Sequence, residues 1–327
     1  MAEGSPFGVG ARDEGAHPFD PSDEGWNESW FHDWTSPDGA EAGHCRVGWM
    51  PTQQRVWVWL VLRRGDRWLL LEAPHIHASH FEPSGWSVNA PSVQVSRVVV
   101  EPLSRSTLTI QATARDDLGR RVPVAVSLEF AALGPAHSLG ASDLGEVAGT
   151  RLSANRFEQP VRVHGTVTID GEARPLDGHG ERDHSWGPRD WRMHWTFLAF
   201  SSPGIQLQAA SVELNPGMSF GMGYIQDDRP MRHLIGVDFA LQESPDTPMA
   251  PARGTVTLTD ESGATLSGSI EPLGGTELDL SHVLRPAWRS RYHRAQVRFT
   301  PESGAPVIGW LELNRFPAGL DAVLEEP

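Results

Sequence analysis

Cysteine occurs once in the 327 residues, at Cys45, so no internal disulfide framework can form, and the chain reads as a protein of a reducing, cytoplasmic compartment. Positive charge is also scarce. Twenty-seven Lys and Arg face 42 Asp and Glu, a formal charge of -15, which argues against nucleic acid or an anionic membrane as the main ligand. No apolar run approaches the roughly 18 residues of a membrane helix, and the N-terminal Met-Ala-Glu-Gly-Ser-Pro lacks the basic start and apolar run of a secretory signal. No membrane insertion is therefore expected. Sustained amphipathic helical patterns longer than a few turns are missing as well. Tyrosine is nearly absent, 2 residues against 13 tryptophans, so the large rings here are of the kind that fills cores and also makes the best face for a cation.

What is present is strand. From Arg46 onward, short apolar runs alternate with period two and are cut by Gly, Pro and Asp turns: Arg55–Arg63, Asp66–Glu72, Val93–Leu103, Ser106–Arg115 and Arg121–Phe130. Closely joined hairpins of this sort are antiparallel. After the small, polar, Gly-rich crossover Gly134–Ala154, a second β-rich region runs from Glu158–Ile169 to Val307–Asn314. These patterns predict an all-β chain. Residues 1–25 read as an extended arm able to pack on the surface, 26–150 as an N-terminal β-domain and 151–327 as a C-terminal one. Antiparallel strands at this density must close or pair their edges, so two lipocalin-like β-barrels in tandem are expected. Early in the first of them, Trp26, Trp30 and Trp34 fit a helical spacing. Glu28, Trp30 and His32 would instead share one face of a strand, the reading that suits the chain that follows.

One stretch, Asp177–Trp191, concentrates the chemistry: four carboxylates, two histidines, two arginines, two tryptophans and three glycines. It reads as a loop aimed by the scaffold, or else as a tight polar corner in which Asp183 and His184 cap backbone groups. If locally extended, it places Arg182 and His184 on one face and Glu181 and Asp183 on the other. Asp183, screened from water, is a candidate general acid, and His184 a candidate base or orienting partner. Trp186, Trp191 and Trp195 are the candidate aromatic wall for a cationic intermediate, although any single ring is as readily a barrel plug. A second group, His75, His77, His80 and Glu82, offers pocket polar groups or part of a metal site, but Pro74 and Pro83 make it a loop without a recognised ligand signature. Tyr224 could donate to a substrate oxygen, and Trp30 could line the pocket.

The segment Gly180-Glu-Arg-Asp-His-Ser-Trp-Gly187, preceded by Val161–Gly171, resembles the Asp-His-x-Trp-Gly corner of the tandem-lipocalin superfamily. That superfamily includes carotenoid 1,2-hydratases, AttH-like proteins and decalin-forming Diels–Alderases. Trp26–Phe31 and Arg46–Pro51 resemble the start of the N-terminal barrel in bacterial members. The chain differs from the commoner pattern in carrying Glu181 and Arg182 before the aspartate. The resemblance implies two lipocalin-like barrels, a hydrophobic terpenoid-like or polyketide-like small-molecule substrate and no obligatory organic cofactor.

The expectation is thus an acid–base enzyme of hydratase, dehydratase or cyclase type, a lyase or isomerase. It would act as a monomer or homodimer through protonation and a cation-like intermediate. Asp183 and His184 are its catalytic candidates, and Trp186, Trp191, Trp195, Trp30, His75, His77 and Tyr224 its substrate-binding candidates. A non-catalytic carrier of a hydrophobic molecule, and a metal-dependent enzyme using His75, His77 and His80, are the alternatives.

Overall fold

Strands begin where the alternation begins. In the computed structural model, which describes residues 5–138, 155–215, 217–243, 251–280, 283, 290–317 and 319–324, β1 (Trp26–Thr35), β2 (Glu41–Met50), β3 (Arg55–Arg64) and β4 (Arg67–His77) form consecutive antiparallel hairpins. Then follow β5 (Phe81–Glu82), β6 (Ser87–Ala90), β7 (Val93–Glu101), β8 (Arg105–Asp116), β9 (Arg121–Ala132) and β10 (His137–Ser138). The crossover read at Gly134–Ala154 lies largely outside the described residues. Beyond it, β11 (Asn155–Ile169) and β12 (Glu172–Pro188) make a long hairpin. That hairpin returns to the first half of the chain: β11 pairs with β9, and β12 with β1.

The first compact unit is accordingly Met1–Arg189 and the second Asp190–Pro327, a later division than the Gly-rich crossover suggests. In the first unit, β11, β12, β1, β2, β3, β4, β8 and β9 pair in a ring that returns to β11. Its inward positions are filled by Trp30, Trp34, Val58, Leu60, Leu62 and Leu128, among others. Burying each large aliphatic side chain contributes about 1.5–3 kcal/mol.

The stretch Asp177–Trp191, read as a loop, is mostly strand β12. Its glycines serve close approach as expected, but of strand to strand: a Cβ on Gly180 would lie 2.0 Å from the Asp33 carbonyl oxygen, and one on Gly178 2.1 Å from that of Thr35. Only glycine lets β12 lie this tightly on β1.

The arm also differs from its reading. A short 3-10 turn, Ala11–Glu14, buries Asp13 and Glu14 rather than resting them on the surface. The Glu14 carboxylate accepts from both Arg182 Nη atoms at 2.9 and 2.8 Å, from the Leu103 N–H at 2.7 Å and from Arg97. Burial alone would push that carboxyl up, but the Arg182 and Arg97 guanidiniums outweigh it and hold it well below the ordinary range. The acid goes inside because two buried cations are waiting for it.

In the second unit, β13 (His194–Ser202), β14 (Ile205–Asn215), β15 (Met218–Gln226), β16 (Arg232–Glu243), β17 (Pro251–Asp260), β18 (Thr265–Leu278), β19 (Arg291–Pro301) and β20 (Val307–Arg315) close a barrel, followed by the short helix α1 (Leu320–Leu324). Leu198, Leu207, Val256, Val297, Phe299 and Leu311 are in its packed interior. Among the described residues no helix is long and apolar enough to cross a membrane.

Candidate functional site

Strand register decides which side chains meet. Across β11, β12, β1, β2 and β3 one row reads Glu158, Asp183, Phe31, Arg46, Trp59, and the next Arg156, Ser185, Ser29, Gly48, Trp57. Both rows face away from the barrel interior. All but the half-buried Arg156 are nevertheless buried, with Glu158 and Trp57 at 0 % exposure and Asp183 at 9 %. Arg156 spans the two rows, donating through Nη2 to Asp183 Oδ2 at 2.9 Å and through Nε to Glu158 Oε1 at 2.5 Å. Farther along, the Arg46 guanidinium lies 4.8 Å from the Trp59 ring centre and 5.5 Å from that of Trp57, and donates to Asn27 Oδ1 at 3.1 Å. Gly48 leaves it room, because a Cβ there would meet Arg46 Nη1 at 2.5 Å.

Glu158 is the unusual acid. Burial pushes its carboxyl up, the charges of Asp183 and Asp33 push the same way, and Arg156 opposes them without prevailing, so it titrates at about 8. Its Oε2 has no hydrogen-bond partner.

This has a thermodynamic consequence with a definite sign. Between the ordinary value of 4.5 and about 8 the folded chain keeps a proton that the unfolded chain has released. The Glu158 contribution to stability is then greatest below 4.5, falls as pH rises, and levels off above about 8, the change being of order a few kcal/mol. Urea unfolding at pH 5 and pH 8.5 measures it. Glu158→Gln should flatten that decline, and an equal decline in the variant would count against the assignment.

The opposite face of the same strands carries a second constellation. Glu28, Trp30 and His32 do share a face of β1, directed inward with His184 and Trp186 of β12. His184 Nε2 lies 2.9 Å from Glu28 Oε1, and its Nδ1 donates to the Asp13 carbonyl at 2.7 Å. From the arm, the His17 N–H donates to both Glu28 oxygens at 3.1 Å, while its Nδ1 lies 2.8 Å from Oε1. Trp186 stacks on His17 at 3.8 Å and Trp30 on His184 at 4.7 Å. His32, wholly buried and with neither ring nitrogen hydrogen-bonded, is held neutral first by burial and then by Arg97 and Arg182.

The predicted residues thus separate. Asp183 and His184 point to opposite faces of β12, so His184 is not the partner of Asp183, whose neighbours are Arg156 and Glu158. Trp186 and Trp30 belong to the inward group. Trp191, Trp195 and Tyr224 are in the second unit, where Trp195 Nε1 donates to Glu312 at 3.4 Å and Tyr224 is fully buried across from Gln208. His75, His77 and His80 are exposed and do not converge. The Nδ1 of His77 is bonded to Ser79 and that of His80 to the Asn89 carbonyl. Among the described residues, the group of three able to hold a metal is His17, Glu28 and His184.

Glu158, Arg156, Arg46, Trp57 and Trp59 escaped the sequence reading. A signal existed: Val-Trp-Val-Trp-Leu-Val-Leu in β3 is apolar at every position, the mark of a strand buried on both faces.

A cavity of about 110 Å³ opens in the second unit, lined by Ile205, Ile225, Leu234, Leu258 and Leu266, with Asp227 and Asp260 at its polar side. Arg232 binds both acids, at 3.0 and 2.7 Å. This space is well below the several hundred Å³ of a pocket for a drug-sized ligand.

Solved structures share the architecture. A protein of Nitrosomonas europaea ascribed to AttH superposes with TM-score 0.65 at 17% identity, over 96% of this chain and 98% of that one. CghA in complex with Sch210972 gives TM-score 0.58 at 14% identity, covering 92% and 93%. Kievitone hydratase of Nectria haematococca gives 0.57 at 12%, covering 93% and 94%. At these identities the likeness shows the fold, two lipocalin-like β-barrels in tandem, as the Asp-His-x-Trp-Gly corner led one to expect. No curated protein matches the sequence. Residues 10–317 match the model of the family described as a domain of unknown function, DUF7064, and the chain belongs to that family.

Proposed function

We propose that the protein is an acid–base enzyme of the hydratase, dehydratase or cyclase type acting on a hydrophobic terpenoid-like or polyketide-like molecule. The observation that carries this reading is the buried carboxyl of Glu158, joined through Arg156 to Asp183 and pushed up to about 8 by burial and by the neighbouring acid charges. An acid whose pKa lies near the operating pH is both loaded and able to release its proton. Glu158 delivers the proton, and Asp183 with Arg156 sets its affinity. On the same buried face the Trp57 and Trp59 rings already hold the Arg46 guanidinium, which marks an environment tolerant of positive charge, each ring contributing about 0.5–2 kcal/mol when dry. Solved neighbours that include a hydratase are consistent with this, although the inheritance of chemistry from fold is analogy.

The test is mass spectrometry of the purified chain incubated with panels of polyenes, prenylated phenols and linear polyketides in ¹⁸O-labelled water. Gain or loss of one water, with label incorporated on gain, marks hydration or dehydration, and an isomer of unchanged mass marks cyclisation. Asp183→Asn separates this from a carrier role: an enzyme variant should bind the substrate and turn it over at least tenfold more slowly, whereas a carrier would show binding and no product with either chain.

A further inference from the structure

In the inward constellation two histidine nitrogens converge on one buried carboxylate oxygen: His17 Nδ1 and His184 Nε2 lie 2.8 and 2.9 Å from Glu28 Oε1. Because a carbonyl only accepts, His184 Nδ1 is the nitrogen that donates toward Asp13, which leaves Nε2 as the one able to ligate. Glu28 and His184 are both buried.

His17 presents Nδ1 to that same oxygen, while its Nε2, 3.6 Å from Asp13 Oδ1, is beyond hydrogen-bond distance of it. A ring protonated at Nε2 leaves Nδ1 free to ligate.

We infer that His17 Nδ1, Glu28 and His184 Nε2 form a binding site for a divalent transition-metal ion of the zinc class, fastening the N-terminal arm to β1 and β12. The ligand atoms all lie within 4.8 Å of one another. Two imidazoles and one carboxylate suit zinc and leave a fourth position open. Ligating histidines normally give their second nitrogen to a carbonyl or carboxylate that fixes the tautomer. Here the Asp13 carbonyl serves the His184 ring in this way. The surrounding rings of Trp30, Phe157 and Trp186 exclude bulk water from the site.

The intact chain, stripped with a chelator, is titrated with Co²⁺ and then Zn²⁺. One Co²⁺ per chain should bind with the intense visible bands of a low-symmetry four-coordinate ion, Zn²⁺ should displace it, and saturation should raise the thermal midpoint and slow proteolysis of the arm. His17→Ala, a change on the arm that leaves every barrel strand intact, should weaken binding at least about tenfold. Glu28→Gln should do the same. Absence of stoichiometric binding, or binding unchanged in His17→Ala, overturns the site and leaves Glu28 and His184 as a proton-sharing pair.

Discussion

Glu14→Ala is expected to cost about 3–5 kcal/mol and to lower the thermal midpoint by roughly 10 °C. The reason is what remains behind. Arg97 and Arg182, 3 % and 5 % exposed, lose a shared carboxylate, and keep only neutral acceptors, Gln159 for Arg182 and the residue-14 carbonyl at 3.4 Å for Arg97. Removing one member of a buried charge group leaves the others uncompensated in a poor solvent for ions. The arm loosens in the same event, since Asp13 and His17 flank Glu14 and reach His184 and Glu28. Glu14→Gln, which keeps the shape but not the charge, should lie between. Thermal unfolding followed by tryptophan fluorescence measures both, and a loss under about 1 kcal/mol for the alanine variant would show that the arm is not an integral plug.

Glu158→Gln is expected to reduce turnover about 10²–10⁴-fold while leaving the chain folded. Glutamine has nearly the same shape, its amide oxygen can still accept from Arg156 Nε, and the carboxyl it replaces is already uncharged at pH 7 because it titrates at about 8. Loss of stability is therefore a poor explanation for loss of activity in this variant. In the unaltered enzyme, the rate of the proton-donating step should fall as pH rises through about 8, where Glu158 empties. A Glu158→Gln enzyme as active as the parent, or a rate flat across that range, would remove Glu158 as the donor and return attention to Asp183.

The two sides of β12 show how far residues alone could be read. The concentration of chemistry in Asp177–Trp191 was visible, and so was the alternation that sends Arg182 and His184 one way and Asp183 the other. Its partners were not. Arg156 and Glu158 reach Asp183 only because β11 pairs with β12 in one register, and a shift of one residue would turn them to the other face. Glu14 and His17 come to β12 from positions 168 and 167 residues earlier in the chain, a pairing that no local pattern encodes. Their segment, rich in Gly, Pro and acid, has the composition of a surface arm. It is drawn inward by the buried guanidiniums of Arg97 and Arg182.

By itself the sequence determined the class of fold: period-two apolar runs, Gly and Asp turns and the lack of amphipathic helices allow little except antiparallel sheet, and such sheet closes to protect its edges. That Asp183 and His184 diverge followed only once the stretch proved to be strand, because alternation is a property of any extended strand. Tertiary structure alone decided that β11 and β12 complete the first barrel, that Glu158 and Arg156 lie beside Asp183, and that the arm brings His17 to Glu28 and His184. The physical reason is that charge burial and proton affinity depend on which groups are brought within a few ångströms, and only long-range strand pairing sets those distances.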